Sequence, residues 1–242
     1  MHPSFERAFD LKEDELIKRR VEETYNAISP HFASTRERVW PPTAEFLSEC
    51  SPCHLGDLGC GTGRALIHAA RLGSTVIGID SSPVQLETAA KAVSRAGLER
   101  MVRLVRGDLE NIPLEDNVLD HSIMIASLHH LPTRERRVRA LDEACRCTRS
   151  CGSLQVSVWT WDQDRFRKRY LERLGGERRN EELEGPLPGD FMVPWNKGER
   201  RMRFYHLYGP LELEGEIADS GWRLSRSFFD GRNHWAECVK DL

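Results

Sequence analysis

Apolar positions first recur at helical spacing where Val21, Tyr25 and Ile28 fall on one face of a helix predicted over residues 11–28, with Pro30 expected to stop it. The stretch SPHFASTRERVWPP follows, then a short helix through Glu45 to Glu49. From residue 54 the pattern changes to short apolar runs alternating with helical stretches. These are HLGDLG then 63–72, TVIGID then 83–97, MVRLVRGD, LDHSIMIASL then 133–149, and SLQVSVW. Such alternation predicts an α/β fold, a parallel sheet wrapped by helices on both faces. The segment 162–200 is dense in charge, Gly and Pro and carries almost no strand pattern, so it is expected to be an excursion that is mobile until a partner binds. Structure should resume at RMRFYHLYG, followed by a helix with Pro210 in its first turn and a final strand pair around RLSRSFF and HWAECVK.

With 242 residues, of which 39% are hydrophobic and 30% charged, the chain can bury a sizeable core. Its 35 Lys and Arg stand against 38 Asp and Glu, a net charge of -3, which removes bulk basicity as an argument for nucleic acid. Six of the basic residues are Lys and the rest Arg, whose planar fork matches phosphates and carboxylates. No apolar run approaches the roughly 18–20 residues needed to span a bilayer, and MHPSFERAFD lacks a signal peptide's apolar core. A soluble protein of the cytoplasm, with the nucleus as a further compartment, is expected. Seven cysteines, an odd number in a long chain, fit reduced thiols better than a disulfide framework.

The strongest chemical signal is Asp57-Leu58-Gly59-Cys60-Gly61-Thr62-Gly63, between a predicted strand and a predicted helix. Glycines at alternate positions let the backbone turn sharply and approach a ligand closely. The G-x-G-x-G spacing differs from the G-x-G-x-x-G that cradles a pyrophosphate, which favours a ligand without phosphates. Asp80 ends the second strand, where a carboxylate accepts hydrogen bonds from ribose hydroxyls, and Asp108 follows the third, placed to meet an adenine edge. Asp57, Gly59, Gly61, Gly63, Asp80 and Asp108, with Leu109 and Ala126 beside them, describe a pocket for S-adenosylmethionine.

The runs DLGCGTGRAL, GID, RGDLENIP and SIMIASLHHL resemble the class I S-adenosylmethionine-dependent methyltransferases. YNAISPHFASTRERVWP, SLHHLPTRERRVRAL, VSVW, FMVPW and RFYHLYGPLELEGEIADSGW narrow this to the tRNA wobble-uridine carboxymethyl methyltransferases, which methyl-esterify 5-carboxymethyluridine. The resemblance runs from about Val21 to Lys240. It implies a doubly wound, mostly parallel seven-stranded sheet, with residues 1–50 as a helical cap contributing to the substrate site and 51–242 as the methyltransferase domain. It also implies the tRNA anticodon loop as substrate and a small zinc-binding activator subunit as partner. The candidate edge for that subunit is Met101 to Arg106, with Ile112 and Leu114 nearby. Two features depart from the family pattern: Thr62 replaces the usual Asn, and RSCGS at 149–153 stands where an Arg-Pro-Gly-Gly turn is expected.

In methyl ester formation the attacking carboxylate is already ionised at neutral pH, so anchors matter more than a general base. Arg36, His129 and Arg137 are the candidates to hold the reacting group, and Arg36, Trp40, His130, Arg134, Tyr205 and His206 those to bind the substrate. One of the two adjacent histidines is expected to be buried. A rival reading gathers Cys50, Cys53, Cys145, Cys147 and Cys151 at the amino edge of the sheet around a structural zinc. Two alternatives for function stay open. One is methyl transfer to a small carboxylic acid; the other is a methyltransferase-like scaffold that only binds.

Overall fold

The computed structural model describes residues 11–33, 38–164, 166–168, 189–197 and 200–242. At its centre is β1 (His54–Leu58), buried from Leu55 onward because helices cover both of its faces. It pairs in parallel with β2 (Thr75–Asp80) on one side and β4 (Leu119–Ile125) on the other. Outside β2 lies β3 (Val102–Arg106), and outside β4 lies β5 (Thr148–Trp159), both parallel. The chain ends with β8 (Arg223–Phe229) and β9 (Asn233–Val239); β9 runs antiparallel between β5 and β8. The seven-stranded order is therefore β3-β2-β1-β4-β5-β9-β8. Strand order reverses between β1 and β4, and a crevice opens there at the strands' carboxyl ends, where ligands bind in such sheets.

On one face, α2 (Pro41–Cys50) and α3 (Arg64–Arg71) cover Leu55, Val76 and Ile123. On the other, α5 (Arg134–Cys147) and α6 (Glu212–Ala218) cover Leu119, Leu154 and Val156. The helix α4 (Pro83–Ala96) follows β2; Ser82 caps it by accepting from the Gln85 N–H at 3.1 Å, and Gly97 ends it in the left-handed region.

The first helix, α1 (Leu11–Ala33), crosses over the crevice and packs against α4 and the strand β7 (Arg201–His206). Ser82 Oγ donates to Asn26 Oδ1 at 2.7 Å, and Thr24 Oγ1 donates to the Met202 carbonyl at 3.1 Å. Contrary to the sequence expectation, α1 runs through Pro30 to Ala33. Proline there removes a single backbone donor, while Asn26 and Ser29 already tie the helix to α4.

A second correction concerns 162–200, because Asp190–Trp195 is a strand, β6, paired antiparallel with β7. Phe191, Val193 and Trp195 are buried on one side of it while Pro194 is exposed, a period of two hidden among charged neighbours. Residues 169–188 of that segment lie outside the described residues. The RSCGS departure is absorbed as an irregular start to β5. Register with β4 jumps from Leu119↔Thr148 to His121↔Ser153, Cys151 takes φ +62°, and a Cβ on Gly152 would meet the Asp120 carbonyl at 2.4 Å. Among the described residues no helix is long and apolar enough to cross a membrane.

Candidate active site

The loop between β1 and α3 is set by two glycines. Gly59 takes φ +79°, and a Cβ there would stand 2.4 Å from Ser127 Cβ, so only glycine lets the loop lie against the end of β4. Gly63 takes φ +88° as the residue capping α3, and its missing Cβ admits Ala89 of α4. Of the expected cofactor residues Gly63 alone is absent from the cavity wall; its work is to bring α3 against α4.

A cavity of about 550 Å³ lies over this loop, beneath α1. Asp57, Gly59, Gly61, Asp80, Asp108, Leu109 and Ala126, the other residues the sequence assigned to the cofactor, all line it. Asp80 holds the loop in shape: Oδ2 accepts from the Gly61 N–H at 2.8 Å and Oδ1 from the Ser82 N–H at 2.9 Å. Burial raises its pKa, and those backbone donors act against the rise. Asp108 Oδ2 accepts from Lys18 Nζ at 2.6 Å, and the same ammonium pairs with Glu110. Lys18 therefore pins α1 to the residues after β3. Burial opposes its charge, but the hydrogen bonds to Asp108 and Glu110 outweigh that and raise its pKa.

Asp57 is also strongly perturbed. It is buried, burial pushes its carboxyl up to about 7 against the lowering effect of Arg64, and among the described residues its Oδ2 has no hydrogen-bond partner. A buried acceptor left open in a cavity wall asks for a donor or cation from a ligand. S-adenosylmethionine carries an ammonium, a sulfonium, a ribose diol and an adenine amine. A cavity with three acidic residues at the carboxyl ends of β1, β2 and β3 and no phosphate-type loop fits that set.

The opposite half of the cavity, over β4 and β5, is walled by Tyr25, Ser127, His130, Leu131, Trp159 and Tyr205. His130 Nδ1 lies 2.8 Å from the Phe204 carbonyl, an acceptor only, so Nδ1 carries the proton and Nε2 accepts from the Tyr25 hydroxyl at 2.9 Å. The Tyr25 and Tyr205 hydroxyls are 3.3 Å apart, and Tyr205 stacks on Trp159 with ring centroids at 4.5 Å.

Several expected site residues stand elsewhere. His129, expected at the reacting group, is wholly buried; its Nδ1 accepts from the Trp159 N–H at 3.1 Å and its ring stacks on Tyr205. His130 is the member of the pair that reaches the cavity. Arg137 is also buried, with Nε donating to Glu216 at 2.7 Å and Nη2 to Glu212 at 3.2 Å, so its charge is spent within the fold. His206 bridges Asp190 at 2.8 Å and Glu212 at 2.6 Å, away from the cavity wall. Burial and the nearby Arg137 oppose its protonation, yet Glu212 and Asp190 prevail and lift its pKa to about 9. Arg134 is half-exposed, donates to the Gly215 carbonyl and pairs with Asp219, on the α6 side. Trp40 stands behind the wall, edge-on to Trp235 at 5.7 Å, with the guanidinium of the wall residue Arg64 over its ring at 4.9 Å. Arg36 lies outside the described residues.

The sequence reading missed Tyr25, Lys18 and Trp159 as wall residues. For α1 the signal was present: Lys18, Glu22 and Tyr25 share the face that meets the cavity, with a polar character that reads as solvent-facing. The cysteines do not gather. Cys53 sits beside Ser74 and Cys50 donates to the Leu47 carbonyl on the α2 side, while Cys145 donates to the Gly221 carbonyl on the α6 side. All seven thiols are free, and among the described residues no group of three or more His, Cys, Asp or Glu is placed to hold a metal.

Residues 56–156 match the family described as "Methyltransferase domain". A putative methyltransferase of Encephalitozoon cuniculi is 30% identical over 209 residues, covering 86% of this chain and 89% of that protein. A probable tRNA methyltransferase 9B of Bos taurus is 32% identical over 186 residues, 76% of this chain and 34% of that protein. The tRNA (carboxymethyluridine(34)-5-O)-methyltransferase of Saccharomyces cerevisiae is 32% identical over 176 residues, 72% of this chain and 56% of that protein. The chain thus spans about a third of the length of the 9B relative. Among solved structures, a SAM-dependent methyltransferase from Methanosarcina mazei superposes with a TM-score of 0.68 at 20% identity, covering 85% of this chain and 99% of that one. The putative methyltransferase solved in complex with the Haloferax volcanii Trm112 methyltransferase activator superposes at 0.63 with 15% identity, over 92% of this chain and 98% of that one. These superpositions bear on the fold alone.

Proposed function

Because this chain belongs to the class I S-adenosylmethionine-dependent methyltransferases, in the group related to the tRNA wobble-uridine enzymes, we propose that it methyl-esterifies 5-carboxymethyluridine at the wobble position of tRNA. The observation that carries the reading is the divided cavity. Acidic residues and a glycine turn stand over β1–β3, and a cluster of hydroxyls and an imidazole stands over β4 and β5.

S-adenosylmethionine, when bound, supplies an electrophilic methyl group and departs as a neutral thioether. In the first half of the cavity Asp80 would meet the ribose, Asp108 the adenine edge, and Asp57 the ligand's positive charge. In the second half, the Tyr25, His130 and Tyr205 groups would orient a uracil ring and its acetate, so that one carboxylate oxygen forms the new C–O bond in line with the breaking C–S bond. No proton has to move, since the nucleophile is an anion at neutral pH. Catalysis then rests on alignment and on excluding water, for which α1 is the roof.

The proposed partner is a small activator pairing with β3. That strand is an outer strand of the sheet, and Met101, Val102 and Arg103 line a groove with His54 and Thr75 at the amino ends of the neighbouring strands. The cytoplasm is the compartment this reading proposes.

The deciding experiment is methyl transfer from labelled S-adenosylmethionine to tRNA lacking its wobble ester, with and without the activator, followed by nucleoside analysis. Label in the 5-methoxycarbonylmethyluridine peak supports the reading. Label only on free carboxylic acids, whatever the tRNA, refutes it.

A further inference from the structure

Three arginines are buried among the described residues: Arg136, Arg137 and Arg203. The first two are neutralised within the fold. Arg136 pairs with Asp14, Glu15 and Glu110, and Arg137 with Glu212 and Glu216. Arg203 differs. On β7, 5% exposed, it packs against the rings of Trp195 and Tyr205, with centroids 5.1 and 5.3 Å from its guanidinium carbon. Its Nη1 donates to the Tyr205 hydroxyl at 3.1 Å, its Nε is buried without a hydrogen-bond partner, and among the described residues no carboxylate pairs with it. Cation–π contacts leave its net charge uncompensated, and a buried cation without a counter-ion is a cost the fold carries for some return.

The place of this charge indicates the return. Tyr205, to which Arg203 donates, lines the cavity beside Tyr25 and His130. Three carboxylates of the cavity, Asp57, Asp80 and Asp108, stand at the carboxyl ends of β1, β2 and β3, whereas the Tyr205 end lies over β4 and β5. The Tyr205 end of the cavity is therefore backed by a buried cation that no carboxylate pairs with among the described residues. Because Arg203 donates into the Tyr205 oxygen, the phenolic proton is directed outward, and its contact on that side is the long 3.3 Å approach to Tyr25. Such a phenol, backed by a guanidinium, is a donor for an anion.

We propose that Arg203 is a specificity-determining positioning residue: acting through Tyr205, it supplies the counter-charge for a carboxylate on the substrate, and so selects the acid over its uncharged amide. This rests on the carboxylate-methylating reading above, and its test separates the two. The probes are the free nucleosides 5-carboxymethyluridine and 5-carbamoylmethyluridine, titrated calorimetrically into the protein saturated with S-adenosylhomocysteine. Arg203→Met and Arg203→Lys are compared with the wild type, and each variant's melting temperature and S-adenosylmethionine affinity are measured alongside.

The wild type should bind the acid at least tenfold more tightly than the amide. Arg203→Met should bind both alike and lose at least a hundredfold in kcat/KM on tRNA, with S-adenosylmethionine affinity within twofold and a melting temperature equal to or above the wild type, since a buried unpaired charge has been removed. Arg203→Lys should keep part of the preference. A wild type without acid preference, an Arg203→Met that keeps it, or an Arg203→Met that melts lower and loses cofactor affinity together, would each overturn the proposal. Acid preference that depends on Arg203, in a protein that leaves tRNA unmethylated, would uphold Arg203 and refute the tRNA substrate.

Discussion

Asp57→Asn is the substitution whose consequences the structure fixes most tightly. The wild-type carboxyl titrates near 7 because it is buried, with Arg64 acting against the rise and one oxygen left without a partner among the described residues. A cationic ligand binds the ionised form, so S-adenosylmethionine affinity should rise with pH as that fraction grows from about 9% at pH 6 to about 91% at pH 8, a tenfold gain or roughly 1.4 kcal/mol. The sulfonium charge is permanent and the ligand's α-amine, of pKa about 7.7–8.0, stays mostly protonated through the lower part of this window.

Folding responds with the opposite sign. An acid whose folded pKa lies above its unfolded value binds its proton more tightly when folded, so stability falls as pH rises from about 4 to about 7, with a cost approaching about 4 kcal/mol once the group is ionised. The amide cannot ionise. Calorimetry at pH 6, 7 and 8 should show the tenfold slope in the wild type and a flat, weaker affinity in Asp57→Asn. The ligand-free variant should melt higher than the wild type at pH 8 and close to it at about pH 4. A flat wild-type profile, or a variant that melts lower at pH 8, would refute the argument that Asp57 is held in waiting for a positive ligand.

Arg137→Met should leave Glu216 buried with one partner fewer and destabilise the fold by about 3–5 kcal/mol; chemical denaturation measures this, and loss of turnover at unchanged stability would restore the substrate role expected from the sequence. His130→Ala should cut turnover at least tenfold with cofactor affinity retained, whereas His129→Ala should lower the melting temperature, because only the former reaches the cavity. His206 is held as a cation to about pH 9 against about 6.5 unfolded, so its contribution is complete below pH 6.5 and is lost as pH rises through 9. Melting curves from pH 6 to 10 should therefore fall more steeply near pH 9 in the wild type than in His206→Gln, and parallel curves would contradict the assignment.

The alternation of short apolar runs with helical stretches, and the turn at Asp57–Gly63, were determined locally. A strand covered on both faces is mostly apolar, and φ values of +79° and +88° at Gly59 and Gly63 favour glycine, which is the residue the local turn selects. Those features were legible in the chain, and with them the half of the cavity over β1–β3. The half over β4 and β5 was decided by packing across long separations. Neighbours on one short turn, His129 and His130 point to different surroundings, and only the arrival of Trp159 and Tyr205 made the first a buried acceptor and the second a cavity residue. Nor does an arginine declare in sequence whether it has a counter-ion. Arg137 found Glu212 and Glu216, about 75 and 79 residues away, whereas Arg203 found two aromatic rings and no carboxylate among the described residues. The reason is physical: backbone preferences act within a few residues, but the state of a buried charge depends on every dipole and charge that folding brings within a few ångströms.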